Sequence, residues 1–578
     1  MSKVSRFVII KEDPRLINIF AGVLFIFSVA TIAHFLFSPL GFNPTDDGWV
    51  LAGSRRIIEG QIPHRDVISH MPTFSFFFHA PFILFGGNYV FFVSRYFVWI
   101  QFASIAWIWT LVIARSFKVF LTLVEKFAVA LVVFSFSTHY FPIMAWYTID
   151  GLFFVSLGIL LCDKEFRWAK MVGYVLIGTA PLCKQSFLPM IPIAIILFKD
   201  WRQLVFWITT SIPAAVYVIY LAIFGAIPDA ILQLTTYSDF VSIGISPIVN
   251  KVIVPLGIIV GGLAAYMVAY NSFNSRRRVT TTFLQRFFGI LMLFGIIFSA
   301  AWTLFIGLYR RTPSFGIFGA VIGVILYFIA KERKLTNYSR FGLLAVCVAW
   351  CTSLSLGYRF PTLGSGPLIL FLMASVQFSF QLIGDDRVPD TSKSLLIRRL
   401  SPTKNFQKFI NALIILAVVA SLVAFGIART NYIYREQPAS QLTYDLGDVL
   451  EGAKGVKTNN NTYSYFLDLQ TAKNIVKENG KEYCILPDTA ANWVKDSQSN
   501  PLSTDSTSFV DFRNKELLER VICDLEEKRG IIIVIVQKYE ARSLSEGFIP
   551  PYKEYEIVNY VRSNFDKIEE TQYFELYE

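Results

Sequence analysis

The stretch Asn43-Pro44-Thr45-Asp46-Asp47-Gly48-Trp49 is followed by Gly60-Gln61-Ile62-Pro63-His64-Arg65-Asp66, by His70-Met71-Pro72-Thr73 and by Phe85-Gly86. It comes soon after an apolar run, Ile17 to Phe37, that is long enough to cross a bilayer. Two adjacent carboxylates beside a membrane-embedded helix are costly to place and do nothing for packing. The stretch therefore reads as a loop that carries chemistry at one face of a membrane protein.

The composition agrees. The 578 residues are 54% hydrophobic with a mean hydropathy of +0.50, too apolar for a soluble chain of this size. Net charge is +11, yet acidic residues outnumber basic ones from Arg429 onward. A basic membrane part with an acidic tail argues against nucleic acid as a partner. Cys162, Cys183, Cys347 and Cys351 fall in apolar runs and read as small core residues; no C-x-x-C pair is present. Lys3, Arg6, Lys11 and Arg15 precede a run too long for a signal peptide, so the first span is expected to be retained. P-loop, G-x-S-x-G, H-E-x-x-H and Rossmann patterns are all missing from the sequence.

Apolar runs predict spans at 17–38, 90–114, 123–141, 148–162, 170–184, 187–199, 203–224, 251–271, 283–308, 314–331, 339–357, 364–383 and 409–428, thirteen in all. The Lys/Arg-rich loops alternate with them and place the N-terminus in the cytoplasm. The Asp46-Asp47 loop and everything after residue 428 then lie outside. Arg310 and Arg311 fall on the outer side against that rule. The expected fold is an all-α polytopic membrane domain over 1–428, its first external loop being 39–89, followed by a small extracytoplasmic α/β domain over 429–578. In the latter, Leu467 to Asn479 and Lys515 to Arg529 read as helices, and Tyr483 to Leu486 and Ile531 to Val536 as strands. Gly257 with Gly261, and Gly316, Gly319 and Gly323, have the spacing of helix-packing contacts.

The ordered string D-D-G … G-x-I-P-x-R-D … P … F-G resembles the first external loop of GT-C glycosyltransferases, membrane enzymes that take a sugar from a polyprenyl-phosphate lipid. The tail pattern Cys484-Ile485-Leu486-Pro487-Asp488 … Asn492-Trp493 … Asn500-Pro501 … Glu516-Leu517 is similar to the external domain of their bacterial members, relatives of aminoarabinose transferase and protein O-mannosyltransferase. The resemblance implies inverting sugar transfer to a cell-envelope acceptor, a glycolipid, polysaccharide or protein, on the outer face. Asp46 matches the acid that acts as base and Asp47 its frequent acidic neighbour, while Asp150 matches a second acid by position. Lys184 stands where aminoarabinose transferase relatives have a phosphate-binding lysine, although Gln185-Ser186 replaces Gly-Pro. Tyr358 and Arg359 match a late Tyr/Arg segment suited to phosphate. His70 replaces the Lys common before Pro-Pro. His64, Arg65 and Asp66 read as polar liners of the same cavity.

Each site residue has a plainer reading. Asp46 and Asp47 open a short helix capped by Asn43 or Thr45, where acids complement the helix dipole. The apolar face Trp49, Gly53, Ile57 and Ile58 suits a membrane surface. Asp150 suits a helix cap, Lys184 suits snorkelling to the interface, and Tyr358-Arg359 suits an interfacial anchor. No cofactor or metal site is predicted, although the acid pair leaves a divalent ion open. A transporter or flippase of lipid-linked sugars is a second functional class, since it too is polytopic with internal charges, and a ligase-like protein a third, which would need a large external loop with late Arg and His that this chain lacks. Cys484 and Cys523 are the two cysteines placed outside. The apolar neighbours Val521 and Ile522 aim Cys523 at the sheet, so the two thiols either pair or stay separate.

Overall fold

The computed structural model describes residues 14–119, 121–139, 141–235, 253–273, 312–354, 360–384, 404–507, 514–551 and 555–578. The first part is helical: α1 (Pro14–Phe37), α2 (Asp46–Ile58), α3 (Phe74–Phe85), α4 (Val90–Ser116), α5 (Leu123–Thr138), α6 (Tyr147–Cys162), α7 (Arg167–Cys183), α8 (Met190–Leu197), α9 (Leu204–Ile223), α10 (Ile227–Thr235), α11 (Ile253–Phe273), α12 (Thr312–Glu332), α13 (Asn337–Ser353), α14 (Ser365–Gly384) and α15 (Lys404–Asn431). Helices thus lie over the expected spans except 283–308, which falls outside the described residues together with Arg310 and Arg311.

Among the described residues, four helices are long and apolar enough to cross a membrane: Ile17–Phe37, Gly87–Ser116, Leu204–Ile223 and Ser314–Glu332. Others are apolar but shorter, such as Tyr147–Cys162 and Gln185–Leu197. The 16 residues of α6 rise about 24 Å, less than the roughly 30 Å hydrocarbon thickness. Proline punctuation explains part of this: Pro189 stands at the start of α8, and Pro181 lies near the end of α7. Helix length by itself therefore supports fewer crossings than thirteen. Both α1 and α9 turn large apolar side chains outward, among them Phe20, Leu24, Phe35, Val216 and Ile223. The glycine spacing works as expected. A Cβ at Gly261 would collide with the backbone of Ala320, and one at Gly323 with that of Ile258, so α11 and α12 pack backbone to backbone.

The last part of the chain is an α/β unit. Its elements are β1 (Tyr444–Asp445), β2 (Lys457–Thr458), α16 (Asn460–Glu478), β3 (Glu482–Leu486), α17 (Lys515–Glu527), β4 (Ile532–Gln537), α18 (Glu556–Asn564), β5 (Lys567–Glu570) and β6 (Phe574–Tyr577). The sheet order is β3-β4-β6-β5, with β3 and β4 parallel and the other neighbours antiparallel. The apolar run of β4 is buried on both faces, as befits a strand with helices on either side. Ile533 and Ile535 pack with Phe466, Leu469 and Val476 of α16. Ile532, Val534 and Val536 pack with Leu517, Val521 and Leu525 of α17 and with Val558 and Val561 of α18. Helix α16 starts earlier than the sequence suggests, because the Asn459 side chain accepts from Thr462 N. Cys484 is buried, Cys523 is exposed, and both are free thiols. The expectation that Cys523 points at the sheet is wrong: its neighbour Val521 takes the inward position.

This unit is docked on the first loop. The core on the α16 face of the sheet runs on into Phe42, Val50, Leu51 and Phe91. Backbone bonds link Gly41 N to Lys457 O, Lys457 N to Pro39 O, Phe91 N to Gly452 O and Ile68 N to Ser503 O. The Arg56 guanidinium lies 2.7 Å from Asp505 and also donates to Leu502 O. Residues 39–89 and the α/β unit therefore sit at one end of the helix bundle.

Candidate functional site

Helix α2 begins at Asp46, where Asn43 Oδ1 accepts from Asp46 N at 3.1 Å. It does not lie free on a surface. Val50, Leu51, Ala52, Gly53 and Ser54 are buried, and a Cβ on Gly48 would collide with the backbone of Ala490 and Ala491 in the α/β unit. The glycine of the D-D-G string is thus required by the close approach of a second backbone. Helix α3 covers the other side, where Gly53 meets the ring of Phe76.

The two adjacent acids have different surroundings. Asp47 is buried: its Oδ1 accepts from Arg95 Nη2 at 2.7 Å, and its Oδ2 from Asn43 N at 2.9 Å. Arg95 also donates to Ser38 O and Gly41 O, so the pair clamps the loop entry onto α4. Asp46 stands at the edge of this packing. Its Oδ2 accepts from Tyr434 Oη at 2.9 Å and from Arg435 Nη1 at 2.6 Å.

One turn along α2, the Trp49 ring lies 5.8 Å from that of His70. The backbone oxygen of His70 accepts from Gln185 Nε2 at 2.8 Å. The neighbouring Lys184 is 2% exposed, which excludes snorkelling to an interface. Its Nζ donates to Thr148 Oγ1 at 3.1 Å and sits 5.5 Å from the centroid of the Tyr147 ring. Among the described residues, no carboxylate pairs with this ammonium. Asp150 follows Thr148 by two residues on α6 and is completely buried. Its carboxylate faces His79 Nε2 at 3.1 and 3.2 Å and accepts from Gln101 Nε2 at 2.8 Å. It is not a cap, because its partners come from α3 and α4. The structure thus brings Trp49 of α2 onto His70, ties His70 to Gln185 beside Lys184, and joins Lys184 to Thr148 at the start of α6.

His64, Arg65 and Asp66 serve the loop's own conformation. His64 takes a φ of 66° and is fully buried, with Gln233 at 2.8 Å and Tyr217 at 2.7 Å from its two ring nitrogens. Burial pulls its pKa below the ordinary value, against the opposing pull of Gln233 and Asp229. Asp66 accepts from Ile62 N at 2.7 Å and pairs with Arg65 at 2.9 Å, and Arg65 holds its carboxyl below the usual range. Tyr358 and Arg359 lie outside the described residues, as does any meeting of Arg359 with Lys184.

The sequence reading missed the partners. Arg95 and His79 sit in apolar runs, where a titratable side chain is costly, and that cost was the available signal. Gln101, in the middle of the apolar α4, offered the same signal more weakly, whereas Tyr434 and Arg435 carried none, since polar side chains in linkers are common. No protein-family model and no curated protein sequence matches this chain.

Proposed function

We propose that the chain is a GT-C-type integral membrane glycosyltransferase. In this reading it crosses the cell membrane thirteen times, with a cytoplasmic N-terminus and an extracytoplasmic α/β domain. It moves a sugar from a polyprenyl-phosphate donor to a glycolipid, polysaccharide or protein of the envelope. The observation that supports this most is Lys184. A buried ammonium with a hydroxyl and a ring for company, and no carboxylate among the described residues, is expensive unless an anion joins it. A donor phosphate is such an anion, and it would gain charge there as the glycosidic bond breaks. The acceptor hydroxyl oxygen attacks the anomeric carbon, the carbon–phosphate oxygen bond breaks with its electron pair going to phosphate, and the hydroxyl proton goes to Asp46. In this reading the Trp49 and His70 rings, 5.8 Å apart, lie on the acceptor side of the site. A divalent ion is not needed for this balance.

The His79–Asp150 pair favours a second reading. A titratable pair buried in a helix bundle is what a carrier of lipid-linked sugars would use to move a proton. The deciding experiment uses membranes containing the protein and polyprenyl-phosphate hexoses and pentoses labelled in the sugar. Transfer predicts loss of label from the lipid and release of polyprenyl phosphate. Label that crosses the membrane still attached to lipid overturns transfer in favour of transport. In the first case Asp46→Asn should lower turnover about a hundredfold to ten-thousandfold with the protein still inserted.

A further inference from the structure

We infer that Tyr434 and Arg435, just beyond α15, are positioning residues for Asp46: they hold one carboxylate oxygen and leave the other to take the acceptor's proton. The inference rests on the reading of Asp46 as the base. Both donors converge on Oδ2, at 2.9 Å from Tyr434 Oη and 2.6 Å from Arg435 Nη1. Oδ1 receives no hydrogen bond from any described residue. A carboxylate anchored through one oxygen cannot spin, so the second oxygen keeps one direction without further loss of entropy at the moment of reaction.

The linker carrying these side chains is itself fixed. Ile433 is pressed against Gly41, whose φ is 82°, leaving no room for a Cβ there. Glu436 accepts from Phe42 N at 3.2 Å and from Thr458 Oγ1 at 2.9 Å, and it also meets Asn459. Between these two anchors Arg435 takes a φ of 49°, a left-handed backbone that a long side chain rarely adopts. The surrounding contacts that impose this conformation do not involve Asp46, yet they deliver the guanidinium to it. Asp47 next door is the contrast. Both of its oxygens are engaged, by Arg95 and by Asn43 N, so it has none to offer a substrate.

The test compares Arg435→Ala, Arg435→Lys, Tyr434→Phe and Asp46→Asn in membranes supplied with the polyprenyl-phosphate sugar that the wild type turns over. Arg435→Ala should lower kcat about a hundredfold with the donor KM unchanged. Arg435→Lys should recover most of that loss by restoring a donor to Oδ2. Tyr434→Phe, which removes one hydroxyl and no bulk, should fall between wild type and Arg435→Ala. Wild-type kcat in both Arg435→Ala and Tyr434→Phe, with Asp46→Asn inactive, overturns the positioning role and leaves the base assignment standing. An active Asp46→Asn overturns the base assignment and the inference with it. A rise in donor KM with kcat kept would make Arg435 a donor-binding residue and also overturn the inference.

Discussion

Buried charges at the junction between the first loop and the α/β unit meet opposite charges, whereas Lys184 inside the helix bundle meets only neutral groups among the described residues. At the junction Arg95 reaches Asp47 at 2.7 Å, Arg56 reaches Asp505 at 2.7 Å and Arg542 reaches Asp488 at 3.0 Å. In the bundle Lys184 has Thr148 and Tyr147, and Asp150 has His79 and Gln101. A paired buried charge is compensated within the fold and needs no ligand. An uncompensated one leaves a cost that binding can recover. The junction is therefore read as architecture and the bundle site as the place where an anion enters.

Breaking the junction should have the largest effect on stability. Arg95→Ala leaves Asp47 buried without a counter-charge and strips donors from Ser38 O and Gly41 O. The expected loss is about 3–5 kcal/mol, read as a lower thermal midpoint in detergent. The double variant Arg95→Ala with Asp47→Ala should be more stable than Arg95→Ala, because the stranded carboxylate is gone. A double variant no better than the single would mean that the backbone bonds of Arg95, and not the ion pair, hold the loop.

The bundle should respond in the opposite sense. Lys184→Met keeps an unbranched chain of nearly the same length and removes the buried ammonium. The thermal midpoint should hold or rise, because an uncompensated charge has left the interior. Donor KM should rise about tenfold to a hundredfold, the worth of a hydrogen bond to a charged group. A large drop in the midpoint with donor KM unchanged would turn Lys184 into a structural residue and erase the distinction between the two regions.

The same contrast explains how much could be read from the sequence. Strand β4 was visible because an apolar run buried on both faces has one reading, and α17 because Leu517, Val521 and Leu525 repeat at helical spacing. Local pattern also carried the start of α2 at Asp46. Pairings across hundreds of residues were not visible. Nothing local tells that Asp46 will meet Arg435 or that Gly48 will lie on Ala491. For that reason α2 looked like a helix for a membrane surface, when in the structure Gly48 admits the backbone of the α/β unit and Gly53 the ring of Phe76. Strand β5 escaped notice because its Lys567-Ile568-Glu569-Glu570 sequence shows no apolar alternation, in keeping with its full exposure. The charge rule that separates inside from outside loops had no purchase on which buried charges would be paired.

A smaller effect is expected where the first loop meets α9 and α10, and it comes from pH. His64 is buried between Gln233 and Tyr217, and burial holds its pKa below the ordinary 6.5. The folded state therefore binds its proton less readily than the unfolded chain does. Above about pH 6.5 the ring is neutral in both states and His64 adds no pH dependence. As pH falls below that value the unfolded state takes up the proton first, and stability declines until the folded pKa is passed. Asp229 pulls the other way, but burial is the larger influence. His64→Asn suits the left-handed backbone at this position, where φ is 66°, and has no titrating group. That variant should be less stable at neutral pH, since it cannot span both partners, yet its thermal midpoint should fall less steeply than the wild type's between about pH 6.5 and 5. Parallel curves for the two proteins would show that His64 keeps its proton affinity on folding, so that its burial is relieved by groups other than those packed against it.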